Sequence, residues 1–283
     1  MELERIVAGL VEKVERRFYG KYRGLVVDNE DPANLGRLRL KVPSVLGNEV
    51  VTGWALPCAP YGGAADQGFL FIPDREAGVW VEFEEGDLEF PIWVGTFWSK
   101  PDHENELPKP NKADGSEEDN IQDPLTRKIL KTRKGHTIQF EDKNGEEMIT
   151  IVEAVHEHVI TMNKDGIKIL DGANGNKIKM DQVGTVIEDK SQNKIEMNES
   201  GIKILDEANG NKIKMDQAGT VIEDKNLNKI EMSATAINIL PASVCSLGGG
   251  DPTVLNFVNN LPACLFTGAP HSVPPNGHAK FSK

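Results

Sequence analysis

"NKIKMDQVGTVIEDKSQNKIEM", residues 176–197, returns at residues 211–232 as "NKIKMDQAGTVIEDKNLNKIEM", with three of its 22 letters changed. The longer copies at 166–200 and 201–235 agree at 28 of 35 positions. Within both copies, apolar residues alternate with lysine, glutamate or glutamine, which is the period of a strand with one apolar side. Repetition at a fixed period predicts a stacked architecture in which each unit contacts its neighbours.

Short strands with this alternation fill residues 126–240, and most carry two apolar residues separated by a polar one, with Thr-Val-Ile in two of them. Their pairs are Ile138/Phe140, Ile149/Ile151, Ile160/Met162, Ile178/Met180, Thr185/Ile187, Ile195/Met197, Ile202/Ile204, Ile213/Met215, Thr220/Ile222, Ile230/Met232 and Ile237/Ile239. Corners built on Gly or Asn-Gly separate the strands, because these residues tolerate positive φ. Each strand therefore offers a single narrow apolar stripe.

A single chain makes a poor core from such stripes. Three chains wound around one axis bury each pair against its equivalents and leave no strand edge unpaired. We therefore predict that residues 126–240 form a repetitive triple-stranded β-helix, an intertwined trimeric β-prism of about twelve strands per chain and on the order of 55 to 60 Å in length. A single-chain parallel β-helix is the alternative, although its coils need larger apolar faces. The predicted trimer core comprises Ile178, Met180, Ile187, Ile195, Met197, Ile202, Ile204, Ile213, Met215, Ile222, Ile230 and Met232.

Residues 19–99 have a different pattern. The stretches "GLVVDNEDPANLGRLRLKVPSVLG" (24–47) and "GVWVEFEEGDLEFPIWVGTFW" (78–98) contain several short strands with Gly and Pro turns, which predicts a small closed barrel. All four tryptophans fall in this region: Trp54, Trp80, Trp93 and Trp98. We expect them to fill the core of the barrel.

Two further segments flank the barrel. Leu3, Ile6, Val7 and their successors recur at the spacing of an amphipathic helix, which we predict for residues 1–18. Residues 100–125 carry prolines and charges with almost no apolar residues and are predicted to be a linker. The N-terminus lacks the positive leader and apolar run of a signal peptide, so we expect assembly in the cytoplasm.

Composition excludes several classes of function. The chain is 39% hydrophobic and 27% charged, as soluble globular proteins are, and 44 acidic against 32 basic residues give a net charge of -12. A phosphate backbone would be repelled, so no nucleic-acid partner is expected. Three cysteines are too few for a disulfide framework, although Cys245 and Cys264 could pair. Catalytic motifs such as G-x-S-x-G and H-E-x-x-H do not occur, and we expect no enzymatic activity.

The last segment, 241–283, breaks the repeat and is rich in Gly and Pro. We expect either an irregular C-terminal tip or an arm that binds a tip protein, and the apolar candidates for that contact are Leu255, Phe257, Leu265 and Phe266. On a threefold axis, His271 and His278 from each chain could surround a metal ion, which is the one cofactor that we consider. Three further histidines lie in the region of short strands and are interpreted as structural: His136, His156 and His158.

Several stretches carry a family resemblance: "YGKYRGLVVDNEDPANLGRLRLKVPSVLG", "WALPCAPY" and "GVWVEFEEGDLEFPIWVGTFW" resemble the phage baseplate assembly protein V family, and "TRKGHTIQFEDKNGEE" resembles the start of the needle in type VI secretion spike proteins. The resemblance implies an OB-fold barrel followed by a β-helical needle in a homotrimer. It also implies hub or tube proteins at the wide end, a Pro-Ala-Ala-Arg-type tip protein or effector, and transient contact with a target membrane.

Two functions follow as hypotheses. The chain is the central spike of a contractile injection system, part of a phage tail-like particle, and punctures a membrane mechanically. Alternatively, it is a trimeric fibre-like module whose barrel or tip recognises a surface glycan. Loss of particle assembly upon deletion, rather than loss of adhesion alone, would separate these two functions.

Overall fold

The computed structural model describes residues 2–15 and 17–242, and the chain divides into two compact units between Leu107 and Pro108. Strands outnumber helices in both units, which confirms the predicted all-β class. Helix α1 (Glu2–Glu15) lies within the segment predicted to be helical. Among the described residues, no helix has the length and apolar character needed to cross a membrane.

The first unit is built on one five-stranded sheet. Its strands are β1 (Tyr22–Asp28), β2 (Arg39–Lys41), β3 (Leu56–Pro57), β4 (Gly78–Phe83) and β5 (Pro91–Thr96), with helix α2 (Pro43–Leu46) and 3₁₀ turns at Glu84–Gly86 and Pro101–His103. The strand order is β2-β1-β4-β5-β3. The pair of β3 and β5 is parallel, whereas β1–β2, β1–β4 and β4–β5 are antiparallel.

Alternation along β4 gives this unit its own core. Val79, Val81 and Phe83 point inward and are buried, while Trp80 and Glu82 between them are half-buried. The complete buried cluster comprises Val26, Leu38, Leu40, Val42, Ala55, Val79, Val81, Phe83 and Trp93. The core of the first unit is thus closed within one chain.

The turn between β1 and β2 is fixed by one carboxylate. Asp31 accepts hydrogen bonds from the backbone N–H groups of Ala33, Leu35 and Arg37, and its Oδ1 lies 2.6 Å from the Arg37 guanidinium nitrogen Nη2. The bond from Arg37 holds the pKa of Asp31 well below its ordinary value. The polar connection between β1 and β2 is therefore an ordered turn.

The tryptophan prediction is wrong for three of the four side chains. Trp93 alone of the four is buried, and its indole nitrogen donates a hydrogen bond to the Gly36 carbonyl at 3.2 Å. Trp98 is 62% exposed, and Trp54 and Trp80 are half-buried. The core is filled mainly by aliphatic residues, with Phe83 and Trp93 as its aromatic members.

The described part of the second unit, residues 108–242, contains one sheet of thirteen strands, called the long sheet below. Its strands are β6 (Arg127–Lys131), β7 (Thr137–Glu141), β8 (Met148–Glu153), β9 (His158–Asn163), β10 (Gly166–Asp171), β11 (Asn176–Met180), β12 (Gly184–Glu188), β13 (Lys194–Asn198), β14 (Gly201–Asp206), β15 (Asn211–Asp216), β16 (Gly219–Glu223), β17 (Lys229–Met232) and β18 (Ile237–Leu240). Each strand pairs with the next one in sequence. Every one of these pairs is antiparallel, so the parallel β-helix alternative is wrong.

Two strands of the long sheet are absent from the predicted set. On the face where the other strands carry their apolar pairs, β6 has only one apolar residue, Leu130, and therefore lacks a pair. Strand β10 carries Ile167 and Ile169, the same pair that Ile202 and Ile204 supply in the next copy. The repeat itself contained the signal for β10.

Glycine begins alternate strands of the repeat for a steric reason. A Cβ atom on Gly184 would lie 2.0 Å from the carbonyl oxygen of Met197, and one on Gly219 would lie 1.9 Å from that of Met232. Both glycines also have positive φ. Any larger residue at these positions would push neighbouring strands apart, so the hairpins depend on glycine.

The predicted linker, 100–125, differs in its second half, which packs on the long sheet as part of the second unit. Asn111 N donates to Gln139 Oε1 at 2.8 Å, and Gln139 Nε2 donates to the Asn111 carbonyl at 2.5 Å. Thr161 Oγ1 donates to the Ala113 carbonyl at 2.8 Å. Residues 108–126, called the clamp below, are held by these hydrogen bonds and by packing of Gly115 on the buried Val159, neither of which composition can reveal.

Candidate trimer interface

One face of the long sheet carries an unbroken row of branched aliphatic residues. Partners in strand register form what we call the isoleucine ladder: Leu130, Ile138, Ile151, Ile160, Ile169, Ile178, Ile187, Ile195, Ile204, Ile213, Ile222, Ile230 and Ile239. Every strand from β6 to β18 contributes one residue. Opposed β-branched side chains pack well across antiparallel strands, so the ladder also favours this register.

A second row lies two residues along each strand and shares the same face. This mixed ladder comprises Phe140, Ile149, Met162, Ile167, Met180, Thr185, Met197, Ile202, Met215, Thr220, Met232 and Ile237. All residues of the predicted trimer core belong to one of the two ladders. The structure therefore brings these residues together on one face of the long sheet.

The ladder face is exposed within one chain. Ile187, Ile204 and Ile222 are 41%, 39% and 40% exposed, and the first two line an apolar groove of about 470 Å³. Ile169 and Ile178 line the same groove. A continuous apolar surface of this length is what soluble monomers avoid and what obligate interfaces use.

At the start of the long sheet, polar side chains are buried and apolar side chains are exposed, the reverse of the usual arrangement. In β7, the polar residues Thr137, Gln139 and Glu141 are buried beneath the clamp, whereas Ile138 and Phe140 are 40% and 46% exposed. A chain that covers its polar face and leaves its apolar face open needs partners for the apolar one.

The clamp is secured by a buried charge network. Arg127 Nε lies 2.7 Å from Glu141 Oε2, and Arg127 Nη1 lies 2.5 Å from Glu118 Oε1. Burial alone would raise the pKa of Glu141, but hydrogen bonds from Thr126, Arg127 and Gln122 outweigh it and lower the pKa to about 2. Glu141 is therefore ionised at neutral pH and holds the clamp in place.

Models of two known domain families match parts of the two units. A model of the type VI secretion system/phage-baseplate injector OB domain matches residues 22–98. A model of the phage baseplate V C-terminal trimerisation domain matches residues 128–187, which contain β7 to β11 and most of the adjoining strands β6 and β12. No curated protein sequence matches the chain.

The chain belongs to the phage baseplate V family. It is therefore a spike-like baseplate protein with an OB domain and a trimerisation domain, and the predicted homotrimer follows from the latter. Both matched regions lie within the described residues. The ladders continue beyond the matched trimerisation domain, from β13 to β18, with unchanged register.

The opposite face of this baseplate V protein carries charge pairs. Lys177 Nζ lies 2.7 Å from Glu188 Oε1, and the equivalent Lys212 lies 2.8 Å from Glu223. Exposed pairs of this kind contribute little stability each. Their regular placement keeps that face soluble and distinguishes it from the ladder face.

The other predicted site residues lie outside the described residues. These are His271 and His278, proposed as tip-metal ligands, and Leu255, Phe257, Leu265 and Phe266, proposed for tip binding. Their roles stay predictions.

Three histidines without an assigned site do converge in the long sheet. His156 Nδ1 lies 3.2 Å from Glu153 Oε2, His136 Nδ1 lies 3.5 Å from Glu153 Oε1, and the rings of His156 and His158 stack at 5.7 Å. Sequence reasoning missed this cluster, because His136 reaches the others only through strand pairing. The signal that could have found it was the H-x-H sequence three residues after a glutamate.

Proposed function

We propose that this protein is the trimeric central spike of a contractile injection system, a needle that punctures a target membrane mechanically. The observation that carries the proposal is the ladder face, which runs through all thirteen strands of the long sheet. Three such faces turned toward one axis would bury each ladder residue against its two equivalents. The predicted trimer core residues then become the inside of a rod.

The dimensions suit a needle. Thirteen strands at roughly 4.8 Å spacing span about 58 Å along the stacking direction, somewhat more than the thickness of a lipid bilayer. Because the strands are short and the corners close, the trimer can be narrow. A narrow rod whose chains unwind only when the whole interface breaks has high kinetic stability, which suits a part under axial load.

The partners follow from this role. Hub or tube proteins would bind one end of the trimer, and a Pro-Ala-Ala-Arg-type tip protein or effector would bind the other. We expect assembly in the bacterial cytoplasm and later incorporation into a phage tail-like particle. The work of the spike is mechanical, so we assign it no catalytic residue and no cofactor for catalysis.

The first experiment measures the mass of the purified chain by light scattering, before and after SDS treatment with mild heating. We expect a mass near three times 31.1 kDa that survives the treatment. A stable monomer would contradict the spike, because its ladder face would then be exposed to water.

A second experiment distinguishes a spike from a fibre that recognises a surface glycan. Deleting the gene in the producing bacterium should abolish assembly of contractile particles. Particles that assemble normally but no longer adhere would support the glycan-binding fibre instead.

A further inference from the structure

The turn between β8 and β9 differs chemically from its equivalents between β12 and β13 and between β16 and β17; the three are called the first, second and third corners below. In strand register, Glu153 and His158 correspond to Asp189 and Asn193 in the second corner and to Asp224 and Asn228 in the third. His156 lies within the first corner, which is one residue longer than the other two. A carboxylate is common to all three corners, whereas imidazoles occur only in the first.

The later asparagines close their turns. Asn193 Nδ2 donates to Asp189 Oδ2 at 3.0 Å, and Asn228 Nδ2 donates to Asp224 Oδ2 at 2.8 Å. His158 stands at the equivalent position of the first corner, but its Nδ1 lies 3.2 Å from Asp171 Oδ1, on the neighbouring strand.

The carboxylates of the three corners also have different partners. Asp189 and Asp224 each accept a hydrogen bond from the asparagine that closes the turn. Glu153 contacts the imidazole nitrogens of His136 and His156 instead. A carboxylate grouped with imidazole nitrogens is a set of potential metal ligands.

We propose that Glu153, His156 and His158 bind one divalent transition-metal ion of the zinc class per chain. Ligand atoms of these three residues lie within 4.8 Å of one another, which small side-chain rotations bring to metal distance. Two imidazoles with one carboxylate select zinc or its neighbours over calcium and magnesium, which prefer oxygen ligands. A water molecule can complete a tetrahedral site.

The surroundings support this assignment. Backbone N–H groups of His156 and Val155 donate to the Glu153 carboxylate and fix its orientation in the turn. Asp171 Oδ1 lies 3.2 Å from His158 Nδ1, which makes no well-aligned hydrogen bond among the described residues. A carboxylate beside a ligating imidazole orients the ring and raises its basicity.

The consequence is a crosslink at the β8–β9 hairpin. Glu153 and His158 are register partners, and His156 lies in the turn between them, so an ion would tie both strands and the turn together. The site lies in the trimerisation domain and is distinct from the predicted tip-metal histidines, His271 and His278.

The test is equilibrium dialysis of the full-length protein, first stripped with a chelator, against zinc chloride. The key variant, H156S/H158N, replaces both imidazoles with small polar side chains; asparagine already occupies the position equivalent to His158 in the second corner, at Asn193. Glu153→Gln is a second, independent variant. Ser191→Asn, which gives the second corner the residue of the third, is the matched control, and H271Q/H278Q removes the tip histidines.

We expect one zinc ion per chain to be lost in H156S/H158N and retained in the control and in H271Q/H278Q. Affinity at this site should fall at least about 100-fold in H156S/H158N. Cobalt substituted for zinc should give visible absorption bands that disappear in the same variant. Unchanged zinc stoichiometry and affinity in both H156S/H158N and Glu153→Gln, with SDS resistance and circular dichroism intact, would overturn the proposal.

Discussion

The two units of this protein become stable in different ways. In the first unit, Leu38, Leu40, Val79 and Val81 are completely buried within one chain. In the long sheet, ladder residues such as Ile204 keep more than a third of their surface exposed. The first unit is therefore expected to fold as a monomer, whereas the long sheet gains its largest stabilisation only upon assembly and depends on concentration until the trimer forms.

The largest effect is expected from a charge on the ladder face. Ile204→Lys would place three ammonium groups around the trimer axis, at a cost of about 5 kcal/mol or more per chain, because each charge is buried without a partner. We expect loss of the trimer and of SDS resistance in light scattering and gel analysis. The first unit should keep its tryptophan fluorescence and its own unfolding transition.

The matched control lies next to Ile204 on the same strand. Lys203→Ala changes the opposite face, where the nearest partner, Glu196, is 3.9 Å away. It should leave the trimer intact and its melting temperature nearly unchanged. If Lys203→Ala dissociated the trimer and Ile204→Lys did not, the assignment of the two faces would be reversed.

Much of the long sheet was predictable from the sequence, because a repeat with period two fixes which residues share a face. The copies at 166–200 and 201–235 were enough to identify the core residues that form the ladders. The clamp was not predictable, because hydrogen bonds such as that from Asn111 to Gln139 depend on a fold-back that composition does not encode.

The first unit illustrates a different limit. Trp80 was expected in the core, yet its ring lies 5.1 Å from that of Phe97, with Arg23 stacked over both. The residue type indicates that a contact is made but not on which side of the sheet it is made.

A related reason explains why the histidine cluster was not predicted: His136 and Glu153 are distant in sequence and are brought together by pairing of β7 with β8.

A cavity created in the core of the first unit tests whether this unit can be destabilised without affecting the trimer. Leu40→Ala should destabilise the first unit by about 2 to 5 kcal/mol, since Leu40 is completely buried and its neighbours cannot fully fill the space. The expected result is a lower melting temperature for the first unit in calorimetry, with an unchanged SDS-resistant trimer.

The control for that cavity is Leu35→Ala, because Leu35 is 59% exposed and its truncation should alter stability by less than about 0.5 kcal/mol. A trimer that dissociated in Leu40→Ala would show that the two units depend on each other for stability. The contrast between a first unit that is stable by itself and a long sheet that needs assembly would then be wrong.

The smallest of the three effects concerns the clamp and depends on pH. Because the pKa of Glu141 is about 2 in the folded protein against an ordinary 4.5, its ionised form stabilises the fold by on the order of 2 to 3 kcal/mol per chain. This contribution is fully present above about pH 4.5 and is lost as the pH falls toward 2. Glu141→Gln removes it at every pH.

The melting temperatures of wild type and Glu141→Gln should therefore differ most at neutral pH and converge between pH 4.5 and 2. Only the difference between the two proteins isolates this group, since many other carboxylates titrate in the same range. A constant difference down to pH 2 would mean that Glu141 acts through shape rather than charge. Convergence would establish that the clamp, unlike the ladders, is held by an ion pair formed within each chain, so the polar face of the long sheet is self-sufficient where its apolar face is not.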